Sequence, residues 1–188
     1  MLFVFHAPYG NHAVFVKFAL MVTRGDATGL DEFSDKIEQA YIDRLADAGE
    51  KACADAVAEG NYQNITGNLR SSIGYVIGYD GKVIREGGFH KVQGRGENMQ
   101  HVMFTTRSGK KVDFWAKGKF GDGSEGSKRG REMAHRIIMG TSGYSYVLVV
   151  GMEYASYVSS RGYNVWDSAQ LTLGKLLGTT IHSRQWQG

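Results

Sequence analysis

The stretch Ile73-Gly74-Tyr75-Val76-Ile77-Gly78-Tyr79-Asp80-Gly81-Lys82-Val83-Ile84-Arg85 decides the fold class. Its first seven residues are β-branched and aromatic, broken only by Gly74 and Gly78, and read as a strand. Asp80-Gly81 suits the two central positions of a type I′ turn, both of which need positive φ, so 82–85 is predicted to return as a second strand.

On the N-terminal side, residues 31–59 repeat apolar side chains at helical spacing: Phe33, Ile37, Tyr41, Leu45, Ala48, Ala52, Ala56 and Val57. Asp31 or Ser34 can cap the start and Gly60 the end. The opposite face, with Asp35, Lys36, Glu38, Asp43, Arg44, Asp47, Glu50, Lys51 and Asp55, reads as solvated surface. Gly49 weakens the middle of this helix. Between helix and strand, 66–72 is expected to make a short helical turn capped by Thr66.

On the C-terminal side the pattern dissolves into glycine and charge over 87–130, which reads as a mobile loop. Two strand pieces, 101–106 and 111–115, flank a turn at Arg107-Ser108-Gly109-Lys110. Residues 128–139 read as a short helix with Met133, Ile137 and Ile138 inward. Tyr144 to Val150 form a continuous apolar run, either a central strand buried on both sides or a strand in an inter-subunit contact. Two helical stretches follow at 153–160 and 165–177, the second using Leu171, Leu173, Leu176 and Leu177. Hairpins beside segregated helices give an α+β domain over 30–188, a long amphipathic helix lying on a mostly antiparallel sheet. Residues 1–29 read as an N-terminal arm that packs on a neighbouring subunit, as an over-long gene start with Met21 the natural first residue, or, less compatibly with the breaks at Pro8, Gly10 and Asn11, as a signal peptide.

Charge is uneven. Residues 82–136 carry 13 Lys and Arg against 6 Asp and Glu, leaving 9 against 13 elsewhere, although the net charge is only +3. Arg95, Lys110, Lys111, Lys117 and Lys119 share this basic stretch with Phe89, Phe104, Phe114, Trp115 and Phe120, a mixture able to attract nucleic acid without reading its sequence. No apolar run is long enough for a membrane-spanning helix, so no membrane partner is expected.

Catalytic chemistry finds little support. The single cysteine, Cys53, excludes an internal disulfide and falls in the long helix, where it reads as a packing residue. The six histidines are scattered without a His-x-x-x-His pair, and His90 with His101 is the one pairing of note. Asp113 and Asp122 lack the acidic neighbours of a two-metal nuclease. The glycines at 87, 88, 94 and 96 match neither a phosphate-cradling loop nor a dinucleotide turn. No catalytic residue, metal or cofactor is assigned.

Two short blocks carry a family resemblance. Ile65-Thr66-Gly67-Asn68-Leu69-Arg70-Ser71-Ser72-Ile73, directly after a long helix, resembles the first signature of the head-tail joining, or tail completion, proteins of long-tailed double-stranded DNA phages. Val150-Gly151-Met152-Glu153-Tyr154-Ala155-Ser156-Tyr157-Val158, followed by Gly162, resembles their second signature, in which a strand runs into Tyr-Ala-x-Tyr-Val and then a glycine. Family members commonly have Glu before that glycine, where this chain has Ser159-Ser160-Arg161. The carried-over motif positions are Thr66, Gly67, Leu69, Arg70, Ser72, Tyr154, Ala155, Tyr157 and Gly162.

The resemblance implies a virion protein without a catalytic site, assembled in the bacterial host cytoplasm into a six- or twelve-fold homo-oligomeric ring. Its neighbours would be the portal or connector and the tail-tube or tail-terminator proteins, and DNA would pass through it. On that reading Tyr146, Leu148, Val150, Tyr154 and Tyr157 form the subunit interface, and Arg95, Lys110, Lys111, Lys117 and Lys119 face DNA. Leu69 and Ile73 should enter the core and Arg70 should stay outside.

Overall fold

A computed structural model of the chain describes residues 2–6, 12–17, 30–94, 99–117 and 121–178. In chain order the elements are β1 (Leu2–His6), β2 (His12–Lys17), α1 (Leu30–Glu59), α2 (Asn68–Ser71), β3 (Ile73–Tyr79), β4 (Lys82–Gly88), β5 (Met99–Thr105), β6 (Lys111–Lys117), α3 (Ser124–Met139), β7 (Tyr144–Val150), α4 (Ala155–Ser160) and α5 (Asp167–Leu177). The α+β architecture expected from the sequence is present, with α1 packed on an antiparallel sheet.

That sheet has the order β1-β2-β7-β3-β4, while among the described residues β5 and β6 pair only with each other, in a second sheet. The β3–β4 turn forms as expected, with Asp80 at φ 46° and Gly81 at φ 76°. The Asp80 carboxylate accepts the Gly143 N–H at 2.6 Å, tying this turn to the entry of β7. The N-terminal strands add a hairpin to this sheet, β1 pairing with β2 and β2 with β7.

Strand alternation sorts β3 and β7 into two faces. Ile73, Tyr75, Ile77, Tyr146, Leu148 and Val150 face α1 and α5 in one cluster. Val76, Val147 and Val149 face Met133, Ala134 and Ile138 of α3 in another. The sheet is therefore the middle of three layers, and β7 is its central strand. Each of the buried Val, Leu, Ile and Met side chains among these contributes about 2 kcal/mol. Tyr146, Leu148 and Val150, candidate interface residues from the sequence, are at most 1% exposed, so the monomer's own core uses them and no neighbour can reach them.

Helix α1 divides into two parts. From Ile42 onward it is core: Ile42, Leu45, Ala46, Ala48, Ala52, Cys53 and Ala56 are buried. Gly49 is a requirement there, because a methyl group at that position would lie 2.5 Å from the Tyr146 hydroxyl and 2.6 Å from the Tyr75 ring. The two rings stack beneath it with centroids 5.7 Å apart. Before Ile42, Phe33, Ile37 and Tyr41, expected inward, are exposed. The expected solvated face is partly engaged instead. Glu38 accepts from the Tyr144 hydroxyl, Asp43 pairs with Arg85, and Asp55 accepts from Thr172 of α5 at 2.6 Å. In α5, Leu173 is buried, but Leu171 and Leu176, also expected inward, are exposed.

Candidate functional site

The two blocks, separated by some eighty residues in the chain, meet where α1 hands over to the sheet. In block one Gly67, at φ 78°, takes the N-cap position of α2 that the sequence assigns to Thr66. The Thr66 hydroxyl oxygen accepts the Asn68 N–H at 3.4 Å, so threonine supports the turn from one residue earlier. Leu69 is buried as expected, and so is Ser72, whose hydroxyl donates to the Leu69 carbonyl at 2.8 Å.

Arg70 corrects the expectation of an outward side chain. Its guanidinium turns back to donate to the Gly60 carbonyl at 2.6 Å and lies over the Tyr62 ring, 5.3 Å from the centroid. A cation at the carbonyl end of α1 satisfies an orphan acceptor and complements the helix dipole. Burial pushes the Tyr62 phenol up to about 12.

Block two starts at the end of β7, where the Gly151 N–H donates to the Ser72 carbonyl at 3.1 Å and joins the two blocks directly. Ala155, the first residue of α4, is fully buried. Tyr154 leads into that helix beside Thr66; burial raises its phenol above the usual range, and a hydrogen bond with Thr66 opposes the rise. Gly162, at φ 82°, ends the block in an open turn after α4.

Between the blocks runs a groove of about 500 Å³ with Tyr62, Ile65, Thr66, Leu69, Tyr154 and Val158 among its walls. Tyr163 also lines it. Around it Tyr154 is 42% exposed, Tyr157 60%, Tyr163 44% and Ile65 36%. Arg161 stiffens this rim by donating to the Tyr157 hydroxyl at 2.8 Å and lying over its ring. Aromatic bodies with polar tips suit a contact surface. Among the described residues the groove walls hold no histidine, cysteine or carboxylate.

A second feature emerges from the segment read as a mobile loop. From Gly121 on, its glycines press against block one. A side chain on Gly126 would overlap the Asn68 backbone; one on Gly130 would meet the Ser72 carbonyl at 2.5 Å and the Phe89 ring at 2.9 Å, and one on Gly151 would overlap Gly130 itself. The Asn68 side chain accepts the Gly126 N–H at 3.3 Å, and Ser127 donates to the Phe89 carbonyl at 2.7 Å. Helix α3 accordingly starts at Ser124, four residues before the predicted start. Asp122 holds its first turn by accepting from the Ser124 N–H and hydroxyl, which lowers its carboxyl below the usual range. Tyr163 and the glycine seam are the parts of this site that the sequence reading missed.

The remaining candidates separate. Lys110 and Lys111 are exposed on the β5–β6 hairpin. Lys117 ends β6, with a side chain outside the described residues, as are Arg95 and Lys119. Away from the groove, Glu50 gathers the Tyr75 hydroxyl, the Gly88 N–H and the His90 ring at 3.1 to 3.3 Å, which fastens α1 to the end of β4. Cys53 nearby is buried, and burial pushes its thiol far above the ordinary range, leaving it without nucleophilic character. His101 lies outside the described side chains. Among the described residues no group of three or more His, Cys, Asp or Glu side chains could hold a metal ion, and no helix is long and apolar enough to cross a membrane. No protein-family model, no curated protein and no solved structure matches the chain.

Proposed function

We propose that the chain is a ring-forming structural subunit of a phage neck, joining head to tail and surrounding the path of DNA. One observation carries the reading: two blocks that resemble the signatures of that family meet at one groove, lined by the exposed Ile65, Tyr154 and Tyr163, with Tyr157 exposed three residues beyond Tyr154. Monomers bury most large aromatics, and a cluster of exposed ones with stiffened geometry favours a protein contact. A closed ring needs two different surfaces on each subunit, and this rim would be one of them. Arg70, Gly67 and Ser72 have a role that fits the reading, since they hold the backbone of the rim while leaving its outward side chains free for the neighbour. The basic segment would then lie towards DNA or towards the tail, attracting phosphate without reading sequence.

Negative-stain microscopy of the purified chain, with Tyr154→Ser and Tyr157→Ser introduced together, tests the proposal. Rings should appear for the native chain and disappear for the double variant, whose unfolding transition should shift little because both side chains are substantially exposed. Rings unaffected by the double substitution would remove the rim from the interface.

A further inference from the structure

We infer that residues 179–188, the segment that follows α5, dock on the apolar stripe of Phe33, Ile37 and Tyr41 on the same chain's α1, extending the α1–α5 interface along that helix. The inference is independent of the ring reading. Those ten residues lie outside the described part of the chain. Two features of the described part point to them. Helix α5 runs antiparallel to α1, and the stripe lies on the side of α1 that meets α5. At the approach to α5 the Asn164 N–H donates to the Asn61 side chain at 2.7 Å, and eight residues later the Thr172 hydroxyl donates to Asp55 at 2.6 Å. Moving forward along α5 is therefore moving back along α1, towards Ile37 and Phe33.

Asp55 marks the side of α1 that α5 covers. Ile37 lies eighteen residues before it, roughly five full turns of an α-helix, so the two share one direction, and Phe33 and Tyr41 fall within about 40° of it. Where α5 is present, Ala48, Ala52 and Leu173 are buried in one cluster. Gly178, at φ 64°, ends α5. Beyond that level Phe33 and Ile37 are 60% and 45% exposed, so the apolar face of α1 outruns its cover. Continued at the helical rise, Leu177 stands level with about residue 50 of α1, roughly 26 Å along the axis from Phe33. Ten residues span at most about 33 Å when extended, enough to pass the whole stripe. The segment Thr179-Thr180-Ile181-His182-Ser183-Arg184-Gln185-Trp186-Gln187-Gly188 supplies two large apolar side chains. Ile181 and Trp186 are separated by up to about 16 Å of chain, and Tyr41 and Phe33 by about 12 Å of helix, so one pair matches the other. A segment tethered beside the stripe acts at an effective concentration of the order of millimolar, which favours it over the same segment of a second copy.

Hydrogen exchange of the full chain, native against the double variant Ile181→Ser with Trp186→Ser, tests the docking. Amides of residues 33–41 should exchange about tenfold faster or more in the variant, while those of residues 45–56 keep their native rates. In parallel, Ile37→Cys with Ser183→Cys in one chain should form a disulfide within that chain when oxidised by glutathione disulfide at high dilution, seen as a monomer two hydrogens lighter. Cys53 is buried and takes no part. Unchanged exchange at residues 33–41, or no disulfide within the chain, would overturn the inference. A disulfide that forms only between copies carrying one introduced cysteine each would give the stripe to a neighbouring copy and overturn it as well. None of these outcomes bears on the ring reading, which is decided by whether rings form.

Discussion

Residues 99–117 and 121–130 belong to the same basic, glycine-rich segment, and they use glycine in opposite ways. In the hairpin, Gly109 sits at φ 78° with no atom within 4 Å of where a side chain would begin. Its value is backbone conformation alone. In the seam, Gly126 and Gly130 are ordinary helical residues of α3 whose missing side chains let the backbone of block one approach to contact distance. The first kind of glycine allows a turn; the second fixes where α3 lies and, through Ser72 and Gly151, where the aromatic rim lies.

That difference predicts a sign. Glycine to alanine in an exposed helix interior stabilises by about 1 kcal/mol. At Gly130 the added methyl meets the Ser72 carbonyl and the Phe89 ring, so Gly130→Ala should instead destabilise by about 3 kcal/mol. Gly109→Asn, which keeps a left-handed conformation open, should cost less than about 0.5 kcal/mol. Urea midpoints of the two variants measure both, and equal costs would dissolve the distinction between seam and hairpin.

A smaller, pH-dependent effect reports on the buried aromatics. Burial raises the Tyr62 phenol from its ordinary 10.0 to about 12, and raises those of Tyr75 and Tyr146 as well. The folded state therefore holds these protons more tightly than the unfolded chain. The resulting stability is complete below about pH 10 and is lost as pH rises through about 12. Thermal unfolding midpoints should be level in pH on the neutral side of 10 and fall steeply above it, with Tyr62→Phe flattening part of the fall. A midpoint indifferent to pH between 10 and 12 would show that these phenols titrate equally well when folded.

The elements legible in the sequence were those set by local rules. Residues 73–85 alternate and turn at Asp80-Gly81; 31–59 repeat at helical period; 144–150 are continuously apolar. Each depends on neighbours in the chain and each formed as read. Long-range placement was not legible in the same way. Phe33 and Ile37 continue the apolar stripe of Leu45 and Ala52, yet the core ends before it reaches them, which a period cannot report. Arg70 reads as a surface cation because nothing local marks the Gly60 carbonyl as its partner. The glycines of 121–130 read as slack because composition does not distinguish a residue chosen for freedom from one chosen for closeness. Of the proposed site, the two blocks were visible, but the groove between them and Tyr163 in its lining required the fold.

The mass of the native chain in solution, followed by mass photometry or native mass spectrometry over a hundredfold range of concentration, tests the central claim most directly. Self-assembly through the aromatic rim predicts one closed multimer of fixed stoichiometry that dissociates cooperatively on dilution. A folded chain that stays a monomer of 20.7 kDa throughout would contradict it.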